Sequence, residues 1–225
     1  MRPMSACALA CATLFMVSAA SADTITLKDP TGDDKGPGNY IYPTDSAYKR
    51  GSFDLTSVKL EEKGDKVVVT VTVNSKIEDP WGSAKWDGQG FSLQMAFIFI
   101  DTDHKAGSGY KSALPGLNVN FAETSRWEKV LLVSPQGTRR LSAEVAAKAK
   151  RWKKDIVIPT RVRVRGRSLV ATYKAADVGK LSPSFGYQAI MQSNEGFPDK
   201  GDLLTRKVNE YNGKHRFGGG SDFNC

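Results

Sequence analysis

Hydrophobic and polar residues alternate along several short stretches of the chain, and this pattern predicts β-strands. From Lys66 to Val73, valines at every second position share one face, and valine and threonine share the other. β-branched residues with a period of two are typical of strands in a sheet. Val58 to Leu60 precedes this run and is joined to it by Lys63-Gly64-Asp65, so the two segments are predicted to form a hairpin.

The stretch from Phe91 to Ile100 is apolar on both faces, which predicts a strand covered on two sides in the middle of a sandwich. Further alternating segments predict strands at 117–121, 130–133, 161–165, 168–173 and 187–192. For 142–154 we expect a pair of strands, and the alternative is a short helix rich in Ala and Lys and capped by Ser142. The pattern therefore predicts an all-β protein built as a sandwich.

Residues 1–22 have the character of a secretory signal peptide. Arg2 precedes an apolar run from Ala6 to Val17, and Ala20-x-Ala22 provides a cleavage site of small residues. The run is too short for a stable transmembrane helix, which needs about 20 apolar residues, and no later stretch approaches that length. We expect an exported protein, periplasmic, extracellular or at the cell surface, that does not span the membrane and whose mature domain covers 23–225.

Removal of the signal peptide leaves Cys225 as the one cysteine of the mature chain. The stability of the mature chain must then come from burial of its core rather than from an internal disulfide, with bound metal as a further source. The formal net charge of the whole chain is +8, which favours anionic surfaces.

Much of the positive charge lies in residues 139–174. There Arg161, Arg163 and Arg165 alternate with valines and predict a ladder of guanidinium groups on an outer face. A solvated face is the default interpretation, and docking of an anionic polymer is the alternative. Nucleic acid is not expected, because only Trp152 and Tyr173 supply aromatic rings in this region.

The segment 29–45 combines carboxylates with glycines and prolines, so its backbone is predicted to follow a fixed series of tight turns. Asp29, Asp33 and Asp34 repel one another, and a hard cation with oxygen ligands would make their proximity favourable. We predict a calcium site at these three residues, and the alternative is a solvated turn cluster. Asp101 and Asp103 after the central strand could likewise be ligands, but a turn is favoured there.

Two tryptophans, Trp81 and Trp86, lie in a turn-rich loop, where they either pack over the edge of the sandwich or face a ligand. His104 and His215 are the two histidines, and neither has Cys or His neighbours at zinc spacing. The sequence contains neither G-x-S-x-G nor a Walker A loop, and nothing in it selects a pair of catalytic carboxylates. We therefore expect a protein that is not an enzyme.

Several motifs of the mature chain resemble the glucodextranase C-terminal domain family, a DOMON-like group. They are Asp29-Pro30-x-Gly32-Asp33-Asp34-x-Gly36-Pro37-Gly38-x-Tyr40-x-Tyr42-Pro43-Thr44, Gly51-x-Phe53-Asp54-Leu55, Trp81-Gly82, Gly90-Phe91-Ser92-Leu93-Gln94 and Phe217-Gly218-Gly219-Gly220-x-Asp222. The resemblance implies a single antiparallel β-sandwich domain, immunoglobulin-like or jelly-roll-like, of the type found in carbohydrate-binding modules. It also implies a secreted or surface-attached protein.

The leading hypothesis is a non-catalytic exported module that binds a polysaccharide or a cell-envelope glycan. Tyr40, Tyr42, Trp81 and Trp86 are the candidate ligand-binding residues, because flat aromatic rings stack on the apolar faces of sugars. One alternative is a basic-faced structural docking domain. Another is an electron-transfer module, since some DOMON-like sandwiches hold haem b between their sheets. Its candidate axial ligands are Met95, His104, Met191 and His215.

Overall fold

Two β-sheets and two short helices make up the part of the chain that the computed structural model describes, residues 24–34, 47–114, 117 and 119–194. The strands are β1 (Thr24–Lys28), β2 (Leu55–Lys63), β3 (Lys66–Val73), β4 (Gln94–Asp101), β5 (Lys129–Val133), β6 (Ile156–Val157), β7 (Arg161–Arg165), β8 (Ser168–Lys174) and β9 (Gly186–Ser193). The helices are α1 (Thr138–Lys148) and α2 (Ala175–Val178), and single turns of 3-10 helix occur at Ser83–Trp86 and Lys150–Trp152. Within these residues, no helix has the length and apolar character needed to cross a membrane.

The two sheets have the strand orders β1-β2-β3-β8-β7 and β6-β5-β4-β9. All pairs are antiparallel except β5 with β6, which run parallel because α1 carries the chain back across the sheet between them. The prediction of a β-sandwich is therefore confirmed, with one short parallel pair added to the antiparallel arrangement.

The hairpin predicted around Gly64 is present. Lys63 pairs with Lys66, and Gly64 takes φ +61 at the turn, a conformation that glycine adopts without a steric penalty. The valines at positions 67, 69, 71 and 73 are fully buried against the opposite sheet. Their spacing therefore sets the register of β3 in the sheet.

Strand β4 is covered on both faces, as its sequence predicts. Ala96, Ile98 and Ile100 belong to the core between the sheets. Met95, Phe97 and Phe99 belong to a second cluster on the outer face of the four-stranded sheet. That second cluster is closed by α1 and by the loop that ends at Trp127.

The strand pair expected at 142–154 is wrong, because α1 and a 3-10 turn occupy most of that segment. Leu141, Val145 and Ala149 are buried at intervals of four residues, which places them on one face of a helix and not on one face of a strand. This face packs onto the outer cluster beside β4 and β5.

The strand expected at 117–121 is also wrong for the described residues there. Only an isolated bridge between Ser112 and Asn120 forms in this region. Leu117 and Phe121 are nevertheless buried, because they cover the outer face of β4 from a loop. The alternating apolar residues of this segment cover the outer face of the four-stranded sheet and do not form a strand of it.

Strand β7 lies at an edge of the five-stranded sheet and carries the predicted arginine ladder. Val162 is buried while Arg161, Arg163 and Arg165 are exposed. Helix α1, by contrast, lies on the outer face of the four-stranded sheet. The basic segment 139–174 is therefore divided between the two outer sides of the sandwich.

Candidate functional site

Three carboxylates meet where β4 ends and β5 begins. Asp101 is the last residue of β4, Asp103 follows in the loop, and Glu128 directly precedes β5. One carboxylate oxygen from each residue lies within 4.8 Å of the other two. The pairing of Ile100 with Lys129 holds them together, and the Glu128 N–H donates a hydrogen bond to the Ile100 carbonyl at 3.0 Å.

The loop after β4 is folded around the carboxylate of Asp101, which is only 2% exposed. Its Oδ1 accepts hydrogen bonds from the N–H groups of Asp103 and His104, at 3.2 and 2.8 Å. Its Oδ2 lies 3.4 Å from Nδ1 of His104, whose φ of +49 is left-handed. The turn that the sequence favours at this position is present, and it uses Asp101 as its centre.

Asp103 lies on the solvent side of the same loop. It accepts hydrogen bonds from the Lys105 N–H and from the Ser108 hydroxyl, each at 2.9 Å. These bonds, led by the one from Lys105, lower the pKa of Asp103, and the positive charge of Lys105 lowers it further. Asp103 is therefore ionised at neutral pH and able to act as an anionic ligand.

Glu128 is the member of the cluster that sequence reasoning missed. Its Oε2 accepts hydrogen bonds from the N–H and hydroxyl of Thr102, at 2.8 and 3.2 Å. Its Oε1 is buried and has no hydrogen-bond partner among the described residues. Only the register of β4 against β5 could have placed this residue beside Asp101, since 27 positions of sequence separate the two.

Gly109 lets the loop close over Glu128. It has φ +72, and a Cβ there would collide with Glu128 Oε1 and would lie 2.8 Å from the Trp127 carbonyl oxygen. Backbone thus covers Asp101 and part of Glu128, and the buried Oε1 of Glu128 is left without a donor among the described residues, while Asp103 faces solvent. Carboxylate oxygens in this arrangement could hold a metal ion, and hard cations such as calcium prefer oxygen ligands.

The acidic residues predicted to bind calcium near the N terminus lie in a second region. Asp29 and Asp33 are exposed, and Asp34 is half-buried. Loss of surrounding water raises the pKa of Asp29, and the negative charges of Asp33 and Asp54 raise it further. Asp54, which the sequence analysis did not select, is 2% exposed and accepts a hydrogen bond from the Gly32 N–H at 2.8 Å. Calcium binding by Asp29, Asp33 and Asp34 stays a prediction.

The aromatic residues predicted to bind a ligand are placed only in part. Trp81 and Trp86 are both half-buried, whereas Tyr40 and Tyr42 lie outside the described residues. Trp81 meets Tyr48 edge-on, with ring centroids 6.0 Å apart, and Tyr48 lies 5.7 Å from Phe53. Sequence reasoning missed Tyr48 and Phe53, because the two segments come together only through the fold.

A network of hydrogen bonds centred on Ser83 fixes the loop that carries the two tryptophans. Asp79 accepts hydrogen bonds from the N–H and hydroxyl of Ser83, and the Ser83 hydroxyl oxygen accepts one from the Gly90 N–H at 3.0 Å. Trp86 packs against Gly88, where a Cβ would lie 2.9 Å from the indole ring. The indoles are therefore held in a defined loop, with part of their surface exposed.

The candidate haem ligands do not form a common site among the described residues. Met95 belongs to the outer cluster, whereas Met191 packs against the core between the sheets. The side chain of His104 is 52% exposed and faces Asp101. His215 lies outside the described residues.

Comparison with known proteins assigns the family. No curated protein matches the chain. The family model of the C-terminal, SLH-like binding module of glucodextranase matches residues 24–225, which is all of the chain except its first 23 residues. The resemblance carried by the N-terminal motif is thereby confirmed, and the chain belongs to the family of glucodextranase C-terminal binding modules.

Proposed function

We propose that the protein is an exported, non-catalytic module that binds a carbohydrate or a polymer of the cell envelope. The family match over residues 24–225 is the observation that carries this proposal, because the family is one of binding modules. The predicted signal peptide at 1–22 supports export to a compartment where such polymers occur.

The aromatic group of Tyr48, Phe53 and Trp81 supports a sugar-binding surface. All three side chains are half-buried, so each keeps part of its ring area at the surface. Large flat rings bury much apolar area with little loss of side-chain freedom, which suits the C–H faces of a sugar. We propose that Trp81 is the central stacking residue, with Trp86, Tyr40 and Tyr42 as further contacts.

We further propose that Asp101, Asp103 and Glu128 bind calcium and that the ion has a structural role. It would give the buried Oε1 of Glu128 a partner and would offset the repulsion among the three carboxylates. It would also link the loop after β4 to the start of β5.

Retention on a panel of insoluble polysaccharides and purified cell-envelope material tests the binding proposal. We expect the mature protein to be retained on at least one polymer and Trp81→Ala to elute earlier. The matched control is Trp152→Ala, which removes a half-buried indole that packs beside α1. A folded protein that is retained on none of the polymers would overturn the proposal.

The arginine ladder of β7 supports a second candidate function, docking of an anionic polymer. Arg161, Arg163 and Arg165 are exposed on an edge strand, where planar guanidinium groups can bind carboxylate or phosphate. If this is the binding surface, salt will abolish retention and Trp81→Ala will leave it unchanged. The reverse pattern, loss in Trp81→Ala with little effect of salt, would exclude it.

A further inference from the structure

The five-stranded sheet keeps one of its faces at the surface. Its inner face belongs to the core between the sheets, where the valines of β3, Leu169 and Tyr173 are fully buried. The side chains that alternate with these residues point to the opposite side of the sheet. In those outward positions of β1, β2, β3, β8 and β7, none of the described side chains is buried. We call this surface the open face.

The register of the strands arranges the open face in rows. Lys63, Lys66 and Lys174 lie directly opposite one another on β2, β3 and β8. Each of the next three rows ends at one arginine of the ladder on β7. The three lysines therefore border one end of the open face, and the three arginines border one side.

The row of three lysines is electrostatically unfavourable by itself. Like charges directly opposite one another on paired strands repel. Lys66 Nζ lies 3.9 Å from a carboxylate oxygen of Asp65, whose side chain is 86% exposed, and Lys63 Nζ lies 3.4 Å from one of Glu61. Ion pairs that involve such exposed side chains offset little of the repulsion. A bound anion at this row would therefore be favourable.

The open face carries most of the net charge of the protein. Its eight cations are the three arginines of the ladder together with Lys28, Lys59, Lys63, Lys66 and Lys174. Glu61 is the one carboxylate at its described outward positions, and it pairs with Lys59 at 2.9 Å. These nine groups have a net charge of +7, against +8 for the whole chain. The rest of the chain is nearly balanced, so an anionic partner is attracted to this face in particular.

Hydroxyl groups fill the floor between these cations. They are half-buried and lie on three neighbouring strands, at Ser57, Thr70, Thr72, Ser168 and Thr172. The hydroxyl oxygens of Thr72 and Ser168 are hydrogen-bonded across β3 and β8 at 2.9 Å. Val68 and Val170 add small apolar patches to the floor. A hydroxyl both donates and accepts hydrogen bonds, which matches the hydroxyl groups of a sugar.

The size of the open face selects a polymer and not a small anion. Lys66 and the position opposite Arg165 are six residues apart on β3, and β7 lies two strands away from β3. Six steps along a strand span about 20 Å, and two strand spacings add about 10 Å across the sheet. One small anion cannot contact both the lysine row and the far end of the arginine ladder.

We propose that the open face is a docking surface for an acidic polysaccharide, a polymer of sugars that carry carboxylate groups. The ammonium and guanidinium groups at its border bind the carboxylates, and the hydroxyl groups of its floor bind those of the sugars. This inference rests on the second candidate function, docking of an anionic polymer, and extends it from strand β7 to the whole sheet face.

Fluorescence anisotropy with fluorescein-labelled polygalacturonate measures this binding on the mature chain 23–225. Lys66→Gln combined with Lys174→Gln should weaken binding by roughly 2- to 30-fold, the range expected for the loss of two exposed ion pairs. The matched control is Lys150→Gln combined with Lys153→Gln. It removes two exposed lysines that flank Trp152 on the other side of the sandwich, and the affinity should stay unchanged.

Thr70→Val tests the floor separately from the charges. Thr70 lies on β3, the central strand, and valine keeps the shape and the strand preference of threonine while removing the hydroxyl. Binding of polygalacturonate should weaken, whereas binding of poly-glutamate, which has carboxylates but no sugar hydroxyls, should not change. Thermal unfolding at low salt checks the fold, and Lys66→Gln should melt at or above the wild-type temperature because repulsion is removed.

Unchanged affinity in the Lys66 and Lys174 variant, with weaker binding by Arg163→Gln, would overturn the inference and leave docking on the arginine ladder intact. Equal affinity of the wild type for polygalacturonate, poly-glutamate and polyphosphate would also refute it, because the face would then bind charge and not a sugar polymer. A protein that ignores polygalacturonate but is retained on a neutral polysaccharide would contradict the inference alone. The proposed carbohydrate-binding function would then stand.

Discussion

Replacing Glu128 with Gln should abolish calcium stabilisation at the Asp101 cluster without destabilising the protein in the absence of calcium. Two carboxylates within 4.8 Å of each other repel by about 1 kcal/mol in bulk water and by about 3 kcal/mol or more where they are partly buried, and Glu128→Gln removes two of the three repulsive pairs. Against this, the hydrogen bonds from Thr102 lose their charged acceptor, which costs about 1 kcal/mol. The relief of repulsion is the larger effect, so we expect the variant without calcium to be at least as stable as the wild type.

With calcium present, the difference between the two proteins should be larger. A ligand at 100 times its Kd stabilises the folded state by about 2.7 kcal/mol. For a domain of this size, 1 kcal/mol corresponds to about 2–4 °C in Tm, so the wild type should gain about 5–11 °C from this site. Glu128→Gln should lose this gain and respond only through any other calcium site.

Differential scanning calorimetry in EDTA and in calcium measures both quantities on the mature chain. Glu62→Gln is the matched control, since Glu62 also accepts a backbone N–H, from Leu181 at 2.6 Å, but lies outside the Asp101 cluster. Its calcium response should equal that of the wild type. If Glu128→Gln keeps the full response, or if the wild type melts identically in EDTA and calcium, the assignment of calcium to this cluster is refuted.

Three further predictions concern the loop, the core and pH. Alanine at position 107 or 109 should lower the free energy of unfolding by at least about 1 kcal/mol, because both glycines have positive φ. Gly109→Ala should cost more than Gly107→Ala, because only position 109 is crowded by Glu128 and Trp127. Equal losses of stability in urea denaturation would contradict this. Tyr173→Phe should lower the free energy of unfolding by about 1–2 kcal/mol in the same assay. The buried hydroxyl of Tyr173 donates to the Leu132 carbonyl at 2.7 Å and so links the two sheets. An unchanged free energy of unfolding would show that this hydrogen bond contributes nothing. The hydrogen bond from Lys59, together with the charge of Lys63, lowers the pKa of Glu61 from its ordinary 4.5 despite partial burial. The stabilisation that Glu61 gives the folded protein is therefore present above pH 4.5 and is lost as the pH falls. Glu61→Gln should therefore show a smaller fall in Tm between neutral pH and pH 3, and an unchanged fall would refute this.

The fold could be predicted where burial and sequence period agree. The alternating valines of β3 and the two apolar faces of β4 indicate by themselves which sides of each strand are buried. No residue distant in sequence is needed to predict these strands. The helix α1 was predicted only as the alternative to a strand pair, because its apolar residues are few. The interval of four between Leu141 and Val145 was the available signal.

The candidate sites could be predicted only in part, because each combines a local turn with a distant carboxylate. Asp101 and Asp103 stand out in sequence, as do Asp29 and Asp33, since they lie close together among turn residues. Glu128 and Asp54 carry no such local mark. Glu128 reaches Asp101 through the register of β4 with β5, and Asp54 meets the N-terminal acidic segment through the hydrogen bond from the Gly32 N–H.

The division of the basic segment changes how the whole surface is interpreted. As sequence, 139–174 is one stretch of positive charge, but α1 covers the outer face of one sheet and β7 borders the other. A rigid polymer that binds the arginine ladder therefore cannot use the charges of α1 as one continuous face. The aromatic residues behave differently, since Tyr48 and Phe53 lie in one segment and Trp81 in another, and the three rings form one group. Convergence of distant residues is what a binding site requires, and in the described residues the aromatic group meets that requirement better than the basic segment does.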